Sequence, residues 1–190
     1  MKTIKTRWPE GRPETIVYPE VPVFDILEQT AARVPHRRAI VFAGMEMTFG
    51  ELKQLSDRFA AALTDMGVGK GDRVAIHLPN CPQFAVAYYG ILKCGAIFTP
   101  ISPLYTGREM EHQLKDSGAM VLLSLDLIFS EEIKAATANS DVKTTITTSL
   151  ADCYNPVTLP TKILGKLPVP DTVDFVELVA KYDPVAPEVT

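Results

Sequence analysis

Arg73-Val74-Ala75-Ile76-His77-Leu78, followed by Pro79-Asn80, the run Cys81 to Lys93, Gly95, and then Ala96-Ile97-Phe98-Thr99-Pro100, is the stretch that decides the fold. Its first six residues are a short apolar run closed by proline, which reads as a buried strand. The run from Cys81 to Lys93 places Phe84, Ala85, Val86, Ala87, Tyr88, Ile91 and Leu92 nearly all round a helix. A helix without a polar face is usually sandwiched inside a larger body. Asn80 is positioned to cap this helix, with Gln83 at its third position. Gly95 breaks it, and Ala96 to Pro100 forms the next strand. Strand, helix, strand with short glycine punctuation is the pattern of a parallel sheet covered by helices.

The same grammar extends in both directions. Thr48-Phe49-Gly50-Glu51 is a capping box, in which the threonine oxygen accepts the amide three residues on and the glutamate reaches back. Leu52, Leu55, Phe59, Leu63 and Met66 follow at helical spacing, with Glu51, Lys53, Gln54, Asp57 and Arg58 expected to face largely outward and Gly67 ending the helix. Thr106-Gly107-Arg108-Glu109 is a second box, opening a helix lined by Met110 and Leu114 and closed by Gly118. Beyond it come a strand from Ala119 to Ser124, a weaker helix from Leu127 to Ala138, and a threonine-rich strand from Lys143 to Thr148. Upstream, a helix is expected from Val23 to Arg33 with Phe24, Leu27 and Ala31 on one face and Pro35 stopping it. Arg38 to Phe42 reads as a strand and Ala43-Gly44-Met45-Glu46 as a turn.

The expected architecture is therefore α/β, a mostly parallel sheet with helices on both faces and right-handed crossovers. Residues 1–20, with Pro9, Pro13 and Pro19, read as an extended arm, and residues 21–150 as the α/β lobe. Residues 151–190 read as a proline-rich irregular segment, in which Asp171 or Thr172 caps a short helix running to about Ala180. Its last residues resemble a linker toward a further downstream region.

The chain has 190 residues, enough to bury roughly 70% of its unfolded surface. An apolar fraction of 46%, a charged fraction of 22% and a mean hydropathy of +0.08 exclude a disordered or fibrous chain. A net charge of −4 lacks the basic surface that nucleic-acid binding requires. No apolar run approaches the ~20 residues of a membrane span. Cys81, Cys94 and Cys153 are odd in number and show no CxxC spacing, so they are expected as reduced thiols rather than disulfides or zinc ligands. The basic Met1-Lys2-Thr3-Ile4-Lys5 start leads into Trp8-Pro9 and not into a signal-peptide core. Cytoplasmic localisation is the expectation.

Several motifs invite a chemical role and each has a plainer structural explanation. Gly67-Val68-Gly69-Lys70-Gly71 resembles a phosphate loop, but it follows a helix and opens a strand, the reverse of what presents helix amides to an anion. Tyr105-Thr106-Gly107 is explained by the helix cap. His36, His77 and His112 fall on a loop, a strand and a helix, without an HxxxH pair or a serine–acid partner pattern. Asp116-Ser117-Gly118 closes a helix, Glu131-Glu132 is a solvated face, and no Gly-x-Ser-x-Gly elbow occurs. No residue is assigned a catalytic, cofactor-binding or metal-binding role.

Four blocks, in order, resemble the acyl-adenylate-forming family, the AMP-dependent synthetases and ligases that include acyl-CoA synthetases and luciferases. They are Met47-Thr48-Phe49-Gly50-Glu51-Leu52; Gly71-Asp72-Arg73-Val74-Ala75-Ile76 with Pro79-Asn80; Ile91 through Pro100; and Pro103-Leu104-Tyr105-Thr106 with Arg108-Glu109-Met110-Glu111-His112-Gln113-Leu114 and Asp116-Ser117-Gly118-Ala119. The last is similar to the medium- and long-chain fatty acyl-CoA ligase branch. Cys94, Ser102 and Gly107 stand where the resembled pattern usually has alanine, asparagine and proline.

The resemblance covers residues 20 to 125 well and the remainder loosely. It implies the first lobe of the family's N-terminal domain. It also implies a parent acid–thiol ligase that joins a carboxylate, expected to be a fatty acid, to CoA through an acyl-adenylate, using ATP and Mg²⁺. The family's Ser/Thr/Gly-rich Pro-Lys-Gly loop, its downstream acidic residues and its C-terminal lysine are not among these 190 residues. The chain is accordingly expected to be an N-terminal piece, a scaffold without catalysis that binds none of these cofactors alone. It is also expected to expose an apolar face and a bare strand edge through which copies could associate or form a homodimer. The competing reading is a free-standing α/β binding or interaction module derived from the same lobe. An ordinary doubly wound nucleotide-binding domain is disfavoured, since Pro79-Asn80-Cys81-Pro82 and not glycines follow the first strand.

Overall fold

The computed structural model describes residues 17–153 and 166–186, with Gly11 and Thr15. The elements are α1 (Asp25–Arg33), β1 (Arg38–Phe42), β2 (Met45–Thr48), α2 (Phe49–Asp65), β3 (Arg73–His77), α3 (Pro82–Lys93), β4 (Ile97–Pro100), α4 (Gly107–Ser117), β5 (Val121–Leu125), α5 (Glu131–Ala138), β6 (Thr144–Thr148), β7 (Val173–Asp174) and α6 (Phe175–Ala180). Five strands form one parallel sheet in the order β4-β3-β5-β6-β7, and β1 and β2 form a separate antiparallel hairpin. Side chains alternate along the strands and so serve two cores. Val74 and Ile76 of β3, Val121 and Leu123 of β5, and Ile146 of β6 pack with α1, α2, α3 and α6, while Ala75 and Leu122 pack with α4 and α5. Helices thus cover both faces, as the alternating pattern requires. The extended arm expected over residues 1–20 lies almost entirely outside the described residues.

Local chemistry explains the main boundaries. Both capping boxes form, Thr48 with Glu51 and Thr106 with Glu109. At the end of α2, Gly67 takes φ +83°, its amide reaches Thr64 O at 2.9 Å, and the Val68 amide reaches Leu63 O at 2.9 Å. These two bonds are a Schellman closure, with Val68 and Leu63 as its buried apolar pair. The Gly67–Gly71 stretch is therefore a helix stop that turns the chain into β3.

Five local expectations are corrected. Met45–Thr48 is a strand: Ala43 and Gly44 both have positive φ (47° and 84°), the two-residue turn that folds β2 back on β1. Cys81 and not Asn80 precedes α3, because Pro82 occupies the first helical position, where its missing N–H goes unneeded. α5 starts at Glu131, where Ser130 Oγ accepts from the Ile133 amide, and Asp126–Ile128 is a separate 3₁₀ turn. Asp174 caps α6, accepting from Glu177 N at 3.0 Å; Asp171 sits at φ +63°, outside the extended geometry of a cap. The fifth correction concerns Asp57, expected outward and found fully buried.

Asp57 belongs to an ionic cluster joining α1, α2 and α3. Lys93 Nζ lies 2.6 Å from Asp57 Oδ1 and 2.6 Å from Glu28 Oε1, the latter an ion pair without hydrogen-bond alignment. Lys53 Nζ lies 2.6 Å from Asp57 Oδ2 and 3.3 Å from Glu28 Oε2. Two cations alternate with two anions, so the cluster is neutral. Burial alone would raise the Glu28 carboxyl, but Lys93 and Lys53 more than offset it and hold it below its ordinary value. That contribution to stability is complete above the ordinary glutamate pKa and is lost as pH falls through the lowered one. One turn earlier on α3, Gly90 lets the two helices touch: a Cβ there would stand 2.8 Å from Phe59 Cδ1 and 3.1 Å from Ser56 O.

The free edge of the sheet is only partly bare. Ile97 and Ile101 donate their amides to Asp72 O and Ile76 O beside β3, so alternation turns Phe98 and Pro100 outward. Proline has no N–H to offer, which leaves Phe98 as the outward donor of β4. Apolar surface remains around this edge, with Ile97 51% and Leu104 90% exposed.

Lys93→Met leaves the buried Asp57 with the half-buried Lys53 alone. It should destabilise the chain by about 3–5 kcal/mol in urea titrations. Adding Asp57→Leu should recover a substantial part of that loss, and equal losses for the single and double variants would show that the pair is uncoupled.

Candidate functional site

In the sheet order, the crossover from β3 leads to β4 on one side, and the crossover from β5 leads to β6 on the other. Adjacent strands whose connections diverge define a switch point, and ligands of such sheets bind beyond the strand carboxyl ends there. Seven of the eleven buried polar residues among the described residues gather at this end. His77 ends β3, Ser124 and Asp126 lie at the end of β5, Thr147, Thr148 and Ser149 at the end of β6, and Gln83 in the first turn of α3.

His77 and Ser124 stand opposite each other in the β3–β5 register, with Nδ1 2.9 Å from Ser124 Oγ. Burial pushes the imidazole down to about 4; the nearby Ser102 backbone opposes this only partly, and Nε2 has no aligned hydrogen-bond partner. The ring is therefore neutral over most of the working pH range. A base beside a hydroxyl resembles half of a nucleophilic pair. Here Ser124 is 0% and His77 1% exposed, so no substrate reaches the oxygen, and the pair ties β3 to β5. Gln83 Nε2 donates to Ser149 O at 2.9 Å, while its Oε1 is buried without a partner.

A cavity of about 440 Å³ opens beside the ends of β5 and β6, bordered by Asp126, Thr147, Thr148, Lys166, Thr172 and Asp174. Its polar groups are mutually engaged. Asp126 accepts the Leu127 amide at 2.7 Å and the Leu167 amide at 2.9 Å, Thr147 meets Thr172 at 2.9 Å, and Lys166 pairs with Asp152 and Asp174.

The other residues marked in the sequence are not brought to this end. His36 and His112 are exposed. The Gly69 amide is taken by Asp72 at 2.9 Å and the Gly71 amide by Gly95 O at 3.2 Å, at the opposite end of the strands. Ser117 O and Gly118 O accept from the Arg73 guanidinium at 2.8 and 3.0 Å, which fastens α4 to the start of β3. Gly107 lies against α5, where a Cβ would come 3.0 Å from Glu132 O, and Glu131 and Glu132 are exposed in the first turn of that helix. Cys81 and Cys94 are free and buried, and burial raises both thiols. The Cys153 side chain lies outside the described residues. Among the described residues no group of three or more His, Cys, Asp or Glu could hold a metal ion, and no helix is long and apolar enough to cross a membrane.

A doubly wound sheet with a polar carboxyl-end crevice defines a class of ligand-binding α/β lobes. A model of the AMP-binding enzyme family matches residues 27–178, and the chain belongs to that family. It is 41% identical over 145 residues to the long-chain-fatty-acid–CoA ligase of Bacillus subtilis (strain 168), a match covering 76% of this chain and 26% of that ligase. It is 33% identical over 181 residues to the ligase of the same name from Haemophilus influenzae, covering 88% of this chain and 32% of that one. The chain thus spans between about a quarter and a third of the length of these curated relatives.

Among solved structures, an anthranilate CoA ligase in complex with anthranoyl-AMP shares the fold, with a TM-score of 0.74 at 22% identity over 88% of this chain and 29% of that one. The N-terminal domain of a Mycobacterium tuberculosis protein, FACL13, superposes with a TM-score of 0.70 at 26% identity over 89% of this chain and 38% of that one. The fold and sequence therefore resemble the N-terminal part of acyl-CoA ligases.

His77 supplies a pH test. The unfolded chain takes up this proton near pH 6.5 and the folded chain near 4, so the stability it contributes is complete above 6.5 and is lost as pH falls toward 4. His77→Gln should flatten the pH dependence of unfolding free energy in that window by up to about 3 kcal/mol. An unchanged slope would place the proton elsewhere.

Proposed function

We propose that this chain is the scaffold lobe of an AMP-forming acid–thiol ligase. Such an enzyme activates a carboxylic acid, here a fatty acid, with ATP to acyl-adenylate and pyrophosphate, and then passes the acyl group to CoA. The observation that carries the reading is the match over residues 27–178, combined with 41% identity to a long-chain-fatty-acid–CoA ligase of which the chain spans 26%. In this reading residues 21–150 are the body of the lobe and residues 1–20 an arm. Residues 151–190 are a trailing segment, whose β7 and α6 fold back onto β6 and α2.

ATP, Mg²⁺ and CoA belong to the reaction, and the described residues do not fit a triphosphate. Polyphosphate charge must be met by uncommitted cations and backbone amides. Lys166, the cation bordering the carboxyl-end cavity, is held by two carboxylates. Lys53 and Lys93 are committed to the ionic cluster, and Arg73 to the carbonyls of α4. What the chain contributes is position. The neutral His77–Ser124 tie, the Gln83–Ser149 bond and the Asp126 amide contacts fix the strand ends against which the rest of an active site would be built.

Two assays test this. The purified 190-residue chain should catalyse no ATP–pyrophosphate exchange above blank with any member of a fatty-acid panel; exchange above blank would end the scaffold reading. A chimera in which this chain replaces the matching segment of the Bacillus subtilis ligase should form fatty acyl-CoA, and a folded chimera without that activity would end the ligase reading. Self-association through the apolar surface beside β4 is also proposed. It predicts a scattering mass that rises with concentration, and a constant monomer mass would contradict it.

A further inference from the structure

Residues 166–172 run across the carboxyl ends of β5 and β6 and wall the 440 Å³ cavity. Polar contacts hold them there. Lys166 Nζ lies 3.3 Å from Asp152 Oδ1 and pairs also with Asp174 Oδ2. The Leu167 amide donates to Asp126 Oδ2 at 2.9 Å, and the hydroxyls of Thr172 and Thr147 meet at 2.9 Å. Apolar burial adds little, since the Leu167 side chain is 47% exposed and Pro168 and Pro170 are exposed as well. The residues that follow are attached in the opposite way. Phe175 packs on Phe59 with ring centroids 5.1 Å apart, and Leu178 and Val179 are buried. Two neighbouring segments are thus secured by different forces, one screened by salt and the other not.

We propose that residues 166–172 are an electrostatically latched strap, with Lys166 as the latch, which opens over the strand ends without unfolding the lobe. Opening strands no buried charge: the side chains of Lys166, Asp152 and Asp174 are 42%, 14% and 19% exposed and hydrate readily, and Asp126 keeps the Leu127 amide. The floor uncovered is polar, made by Asp126, Thr147 and Thr148, so water can occupy it at low cost. Local openings of this kind draw on regions with few buried apolar contacts. Burial disfavours the charged forms of Lys166 and Asp174, but their ion pairing outweighs it, raising the lysine and lowering the aspartate. Both stay charged around neutrality, so ionic strength rather than pH sets the latch.

Amide hydrogen exchange on the 190-residue chain tests the strap, with the Leu167 amide as reporter and the Leu178 and Val179 amides of α6 as the internal reference. Lys166→Met should speed exchange at Leu167 by roughly threefold to thirtyfold, the effect of losing about two partly exposed ion pairs, and leave α6 unchanged. Raising salt to about 1 M, where the screening length is ~3 Å, should speed Leu167 exchange in the unsubstituted chain and have a smaller effect in Lys166→Met, where only the exposed Lys134–Asp171 pair at 3.3 Å still ties the strap by charge. Lys166→Arg should restore slow exchange. The proposal is overturned if Leu167 exchange is unchanged in Lys166→Met, or if Leu167 and α6 accelerate together.

Discussion

The ammonium group of Lys93 is carried to the end of an apolar helix and set down where water does not reach, and the arrangement of three helices follows from that placement. A lone charge in such a site would be intolerable, so α2 must bring Asp57 and α1 must bring Glu28, with Lys53 restoring neutrality. The contact distance of α2 and α3 is then set by Gly90, which removes the one Cβ that would hold Phe59 and Ser56 away. Ion pairing and steric closeness occupy the same helix face, one turn apart. Replacing either would alter the geometry the other needs, which makes the α2–α3 crossing the rigid reference for the sheet beneath it.

The sheet separates its two ends by chemistry. At the amino ends of the strands, glycine turns and the Arg73 guanidinium satisfy helix-terminal carbonyls and loop amides within the chain. At the carboxyl ends the polar groups are denser, and two of them, His77 Nε2 and Gln83 Oε1, remain buried without partners. Unsatisfied buried groups are uncommon in native folds and collect where a structure has work to do. Here they lie at the switch point, the place where a parallel sheet presents ligands, while the cations nearby are already committed. The described cation bordering the cavity at that end, Lys166, is held by Asp152 and Asp174.

Elements governed by local rules were legible in the sequence. The two capping boxes, the Gly67 stop and the alternation in β3 depend on residues only a few positions apart, so their spacing decides them. What escaped depends on distant partners. Asp57 counts as outward in any helical wheel, because nothing local reveals that Lys93 will arrive beside it. The one cue was a lysine closing an otherwise apolar helix. Of the β1–β2 hairpin only β2 escaped, because the turn takes two residues, Ala43 and Gly44, and not four, and β7 escaped because a two-residue strand is defined by its partner β6 and not by its own pattern. At the candidate site, the alignment of His77 with Ser124 is a register fact that no spacing along one strand contains. The family resemblance rests on blocks that are mostly caps, strand starts and helix stops, which is why it points to the lobe and its family and to no site residue within the chain.

The outward face of β4 has a consequence for how such a chain is made. During translation on a polysome, copies of this sheet emerge side by side while each chain is still incompletely folded. With Pro100 turned outward, a neighbouring nascent chain finds one amide donor on the strand and then a gap, too little to seed a growing ladder. The imino acid that ends the strand thereby limits how far a sibling's strand could extend the sheet along this edge.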